Sequence, residues 1–159
     1  MAQVSPAEVK RRLVRFKELP SLQHAYEETQ LPAHQRVLYR YFGNQASDAK
    51  DVPPAVEGIS LNVALVTADP GKGAPLHDHE CEEIFVVMRG TFEVSFGENG
   101  EERVVLNEWD AISVPSGIHR AWPNLGPPDG RIMAILGAGT AELPRYRADY
   151  STLPGVVKR

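Results

Sequence analysis

The chain has 159 residues, 42% of them hydrophobic and 24% charged, with a net charge of −4. That length makes one domain the default and buries a core without staples, and the negative balance argues against nucleic acid as a partner. A single cysteine, Cys81, excludes an intrachain disulfide and suits a reducing compartment.

The N-terminus lacks the continuous apolar segment of a signal peptide. No stretch approaches the roughly 20 apolar residues that span a bilayer. The expectation is a cytoplasmic protein with no membrane partner. The first element reads as a helix: Ser5 is the N-cap, Pro6 suits the first helical position, and Glu8 completes an S-x-x-E capping box. Val9, Leu13 and Phe16 recur at helical spacing, and Leu19-Pro20 ends the run. Its basic residues Lys10, Arg11, Arg12, Arg15 and Lys17 read as a solvated face rather than an anion site. His24 and His34 read as surface or helix-end residues.

From about residue 35 the period changes to that of strands. "QRVLYRYF" (35–42) is β-branched and aromatic, "NQASDAKDVPPAVEG" (44–58) is a loop by composition, and "ISLNVALVT" (59–67) alternates. After the turn cluster "DPGKG" come "EIFVVMRG" and "TFEVSFG", two strands meeting at Gly90, and then "GENG", whose Asn-Gly pair is a hairpin signal. "ERVVL", "AISVP", "HRAWPN" and "RIMAILG" continue the series between the turns "NEWD", "PSG" and "LGPPDG". Strands this short, recurring every ~8–12 residues, predict a sandwich or barrel. The tail, 139–159, has two prolines and no clear period.

"HDHECEE" (77–83) lies between two of these apolar strands. On a strand, residues i and i+2 share a face, so His77 and His79 present two imidazoles side by side. Glu83 has the same parity but would lie about 13 Å beyond His79 on a straight strand at ~3.3 Å per residue. One ion can take all three only if the chain turns between His79 and Glu83. His119 follows a strand and a Pro-Gly turn and is available as a third imidazole. Three imidazoles and a carboxylate would suit Fe, Mn, Ni, Cu or Zn rather than Ca or Mg, and an octahedral ion would keep two positions for water, substrate or dioxygen. Cys81 falls in the turn, where packing or solvent suits it better than ligation.

These residues carry a resemblance. "GKGAPLHDHECEEIFVVMRG" is similar to the first cupin motif, G-x5-H-x-H-x3-E-x6-G, at each fixed position: Gly71, His77, His79, Glu83 and Gly90. A second motif, G-x5-P-x-G-x2-H-x3-N, is matched at Pro115 and Gly117. His119 comes one residue early, Asn124 one residue late, and Trp109 stands where the motif has its first glycine, with Asp110 after it. The resemblance covers about residues 59–138. It implies an all-β double-stranded β-helix, the jelly-roll cupin barrel, at 59–138. A short N-terminal helix and covering strand and loop would occupy 1–58, and an irregular tail 139–159 would pack on the barrel or on a partner subunit. It also implies one divalent transition metal per chain, with Fe expected and Mn, Ni, Zn or Cu as alternatives, on His77, His79, Glu83 and His119, and it favours a homodimer.

Strand parity then draws the pocket. Phe85 and Val87 should follow Glu83 inward, and Ala121 should follow His119, while Arg120 and Trp122 face away. Such a largely apolar cavity would take a small oxygen-chelating organic molecule, with Arg36, Arg40 or Arg120 available for a carboxylate. The resemblance favours a mononuclear non-haem metal dioxygenase, in which Glu83 could also accept a proton from substrate. Its alternatives are a non-redox metal-dependent isomerase, lyase or hydrolase, and a non-enzymatic cupin that binds a small ligand.

Overall fold

The computed structural model of the chain describes residues 5–43, 47–49, 52–57, 60–137 and 143–149. The N-cap half of the capping box forms: Ser5 Oγ accepts from Glu8 N at 3.2 Å and opens helix α1 (Pro6–Arg11), while the Glu8 carboxylate pairs with Arg11 and Arg12. The helix ends at Arg11, earlier than Leu19, and Phe16–Glu18 forms a separate 3-10 turn. No residue of α1 is buried, so packing does nothing to prolong it. Phe16 instead lies on the sheet, its ring 4.9 Å from that of Tyr39.

Among the described residues eight strands follow: β1 (Val37–Phe42), β2 (Leu61–Ala68), β3 (Gly73–Asp78), β4 (Glu83–Phe96), β5 (Glu102–Leu106), β6 (Ala111–Val114), β7 (Arg120–Gly137) and β8 (Arg145–Tyr146). All pairings between them are antiparallel. Two strands are longer than the alternation suggests. The runs on either side of Gly90 form the single bent strand β4, and "HRAWPN" and "RIMAILG" join through 125–130 into the bent strand β7.

Because β4 and β7 are long and bent, they belong to both layers of the jelly roll. The second half of β7 pairs with β2 and with the first half of β4, and these continue outward to β1 and β6. The first half of β7 pairs with β3 and with the second half of β4, flanked by β8 and β5. Gly90 makes the bend of β4 possible. Its φ of 91° is left-handed, and a Cβ there would come within 3.0 Å of Gly126 O. Gly73 is held by space instead, since a Cβ would stand 1.8 Å from Trp122 O across the β3–β7 pair.

The inner faces close on Phe85, Val87, Phe92, Val94 and Ile132, all at 0% exposure. Each such burial is worth about 1.5–3 kcal/mol. The ring of Trp122 lies 6.1 Å from those of Phe85 and Phe92, joining the layers. Asn124 is also fully buried and braces the bend of β7. Its Nδ2 donates to Ala68 O and Pro127 O, and its Oδ1 accepts from Gly126 N, each at 2.8 Å. No described helix is long and apolar enough to cross a membrane.

Candidate metal centre

β3 ends at Asp78, residues 79–82 turn, and β4 opens at Glu83. The turn is pinned to the neighbouring Pro115–Gly117 turn, with Gly117 N donating to His79 O at 2.9 Å and Ser116 Oγ to Glu80 O at 2.7 Å. The straight-strand separation therefore collapses. His79 Nε2 lies 3.7 Å from Glu83 Oε2, and the His77 and His79 rings meet edge to face at 5.0 Å. One ligand atom from each of His77, His79 and Glu83 falls within 4.8 Å of the others, and all three residues are buried.

The donor set fits a metal ion. His77 Nδ1 stands 2.7 Å from Pro75 O, which can only accept, so Nδ1 carries the hydrogen and Nε2 is left to ligate. Burial pushes both imidazoles down, His79 to about 3, with the neighbouring His79 also lowering His77 and Arg120 also lowering His79. They are neutral ligands at ordinary pH. Burial holds the Glu83 carboxyl up at about 7 against the opposing pull of Arg120 and Arg36, and its Oε2 has no hydrogen-bond partner.

The expected fourth ligand is not brought to this cluster. His119 is half-buried and outside the three-residue group. The face of β7 is the reverse of the expected one: Arg120 and Trp122 point inward, at 0% and 3% exposure, and Ala121 is half-buried on the other face. Arg120 takes the position, pairing with His77 across the β3–β7 ladder, with Nε 3.2 Å from Glu83 Oε2 and Nη1 donating to Ile118 O at 2.8 Å. The physical reason is the length of the turn. Counted from Pro115 and Gly117, the second motif places its histidine at 120 and its asparagine at 124, so Arg120 stands for the histidine and Asn124 is in register. Trp109, in the motif's glycine position, holds the left-handed φ of 73° that a glycine would provide.

The three ligand candidates open on a cavity of about 30 Å³, room for one or two waters. Its wall includes Tyr26, Arg36 and Leu38 from the N-terminal segment, Trp122 and Ala134 from β7, and Pro144 from the tail. Phe85, Val87 and Ala121 do not line it, since the first two are packed in the core beneath. Of the three arginines named from sequence, Arg36 lines the cavity. Its Nη2 is ion-paired with the fully buried Glu28 at 2.5 Å, Nη1 donates to His34 O at 2.9 Å, and its guanidinium lies 5.3 Å from the Tyr26 ring and 5.8 Å from the Trp122 ring. Burial raises the phenols of Tyr26 and Tyr146, which keeps them protonated.

Sequence reasoning missed Tyr26, Glu28, Pro144 and Tyr146. They sit in segments without a period, and no motif marks them. Arg145 ties residues 143–149 to the β3 end, donating to both oxygens of Asp78, at 2.8 and 2.9 Å, and to Glu80 at 2.9 Å. A second pocket of about 490 Å³ lies outside, sharing Tyr26 and Pro144 with the inner cavity. Cys81 packs against the core.

Comparison with known proteins agrees with this architecture. The family described as "Cupin domain" matches residues 64–136. An RmlC-like cupin from Shewanella frigidimarina NCIMB 400 is similar at 12% identity with a TM-score of 0.57, over 80% of this chain and 90% of that one. The DMSP lyase DddQ from Ruegeria pomeroyi DSS-3 is similar at 20% identity and TM-score 0.55, over 69% of this chain, which spans only 50% of DddQ. A structure of the DMSP lyases RdDddP and RnDddQII gives 18% identity and TM-score 0.62, over 82% of this chain and 63% of that one. At these identities the likeness is one of fold. The chain therefore carries a cupin domain at residues 64–136, folded as the cupin jelly roll.

Proposed function

We propose that this protein is a metal-dependent enzyme acting on a small organic molecule that chelates through oxygen, with a divalent transition metal held by His77, His79 and Glu83. The observation that supports it is the convergence of three buried ligand atoms within 4.8 Å of one another. A bound ion would supply Lewis-acid polarisation of substrate oxygens and, if redox-active, activation of dioxygen.

The chain's own residues supply the rest. Pro75 O fixes the tautomer of His77, and Arg120 holds Glu83 from behind. Glu83 lines the cavity, and its carboxyl, held up at about 7, is the group suited to accept a proton from a molecule there. Tyr26 and Pro144 line both this cavity and the pocket outside it. Two histidines and one carboxylate with open positions are the ligand set of non-haem Fe(II) oxygenases, and this supports dioxygenase chemistry as the reaction, with Fe as the metal. A second reading, non-redox elimination, is supported by the similarity in fold to the DMSP lyases.

Elemental analysis tests the site: one equivalent of metal in the wild-type protein, and none in His77→Ala or His79→Ala. Full metal in both variants would sink the assignment. Oxygen uptake by Fe(II)-loaded protein with diketones, catechols and hydroxy acids tests the reaction. Silence across that panel, with anaerobic cleavage of DMSP, would replace oxidation by elimination.

A further inference from the structure

Charge around the cavity is balanced before any ion arrives. The buried charged side chains beside the site include two pairs, Glu28 with Arg36 and Glu83 with Arg120. Asp78, between the two histidines, is matched by Arg145. With both imidazoles neutral and Glu83 ionised, as it is above about pH 7, these three pairs sum to zero. An ion held as proposed above would bring two positive charges into a place of low dielectric, where uncompensated charge is expensive. Had a neutral histidine stood at position 120, the ion and Glu83 together would leave only one. Arginine cannot give up its proton here, so the exchange raises the demand for negative charge by one.

We propose that the site selects small dianionic oxygen chelators, such as dicarboxylates or hydroxy and oxo acids carrying a second negative charge, over monoanionic and neutral chelators, and that Arg120 sets this preference. The inference rests on the metal reading above, and it requires the cavity of about 30 Å³ to open toward the pocket of about 490 Å³ that shares Tyr26 and Pro144 with it, so that a chelator is admitted. Arg120 is not among the residues lining the cavity. It acts through Glu83 and through its field, as a positioning residue rather than a catalytic one. Its Nε and Nη2 make no hydrogen bond, Glu83 is its salt-bridge partner among the described residues, and Asp78 acts on it without a salt bridge. A unit charge roughly 6 Å from a ligand, at an effective dielectric of about 20, changes affinity by ten- to hundred-fold per ligand charge.

The test uses three probes of one skeleton: oxalate, oxamate and oxamide, carrying two, one and no negative charges. Each is titrated calorimetrically into metal-loaded protein, and metal content is checked afterwards by elemental analysis. Wild type should prefer oxalate to oxamate by about a hundred-fold. Arg120→Lys, which keeps the charge, should preserve that ratio, and Arg120→Gln should shrink it at least ten-fold. An unmoved ratio in ion-loaded Arg120→Gln overturns the inference alone. Wild-type protein that takes up no ion overturns it together with the metal reading. If Arg120→Gln does not fold, the wild-type series decides, and equal affinity for oxalate and oxamate overturns the proposal.

Discussion

Removing the Glu83 carboxylate from the metal-free protein should expose the energetics of the site most directly. Arg120 is fully buried, and its Nε lies 3.2 Å from Glu83 Oε2. At an effective dielectric of about 20, two unit charges at that distance attract by about 5 kcal/mol, a gain offset by the desolvation of both. The carboxyl is held at about 7, above its ordinary 4.5, so burial outweighs that attraction, and ionising Glu83 costs the fold about 3 kcal/mol relative to the unfolded chain. Glu83→Gln keeps the shape without the charge. It should match wild type near pH 4 and exceed it by about 3 kcal/mol at pH 8, because wild-type stability falls as pH rises from about 4.5 through about 7 and that of the variant does not. The assay is thermal and urea unfolding in chelator at the two pH values, where the gain at pH 8 corresponds to roughly 10 °C. A variant less stable than wild type at pH 8, or a difference that does not change with pH, would refute the argument that burial outweighs the ion pair at this carboxylate.

Metal occupancy should fall as pH drops from about 8 to about 5, because the Glu83 carboxyl, pushed up to about 7 by burial, takes a proton in competition with the ion. The imidazoles, already pushed below their usual range, do not compete there. Occupancy constant across that window by equilibrium dialysis would contradict it. Trp109→Gly should raise the melting temperature by about 2–4 °C. The tryptophan is 72% exposed at φ 73°, and relief of about 1–2 kcal/mol of left-handed strain outweighs the extra unfolded-state freedom of glycine. A lower or unchanged melting temperature speaks against strain at that turn. Gly73→Ala should cost about 3 kcal/mol or more, since its Cβ would stand 1.8 Å from Trp122 O and the two strands must part. A variant that melts with wild type would mean β3 and β7 can separate freely.

Much of the fold was legible because strands announce themselves through period two and turn residues, and because the five fixed positions from Gly71 to Gly90 share one spacing. The turn between His79 and Glu83 followed from distance once one ion was required to take all three side chains. What failed was parity after the Pro115–Gly117 turn. One residue more or less in a tight turn reverses every side chain beyond it, and the presence of a histidine at 119 drew attention from the register that Asn124 marks. The spacing Pro115, Gly117, Arg120, Asn124 held that signal. Tyr26, Glu28 and Pro144 were beyond such reasoning. They reach the site from irregular segments, and only the packing of those segments against the barrel brings them there.

Trp122 gives the molecule an optical gauge of its own centre. Of the chain's two tryptophans, Trp109 is 72% exposed, whereas Trp122 is 3% exposed and shares the cavity wall with His77, His79 and Glu83. In the Trp109→Gly background a single indole remains, buried and lining the cavity with the ligand residues. Its emission should respond to a paramagnetic ion by quenching and to a cavity ligand by a change in colour, so filling of the site can be followed in dilute solution without a labelled substrate.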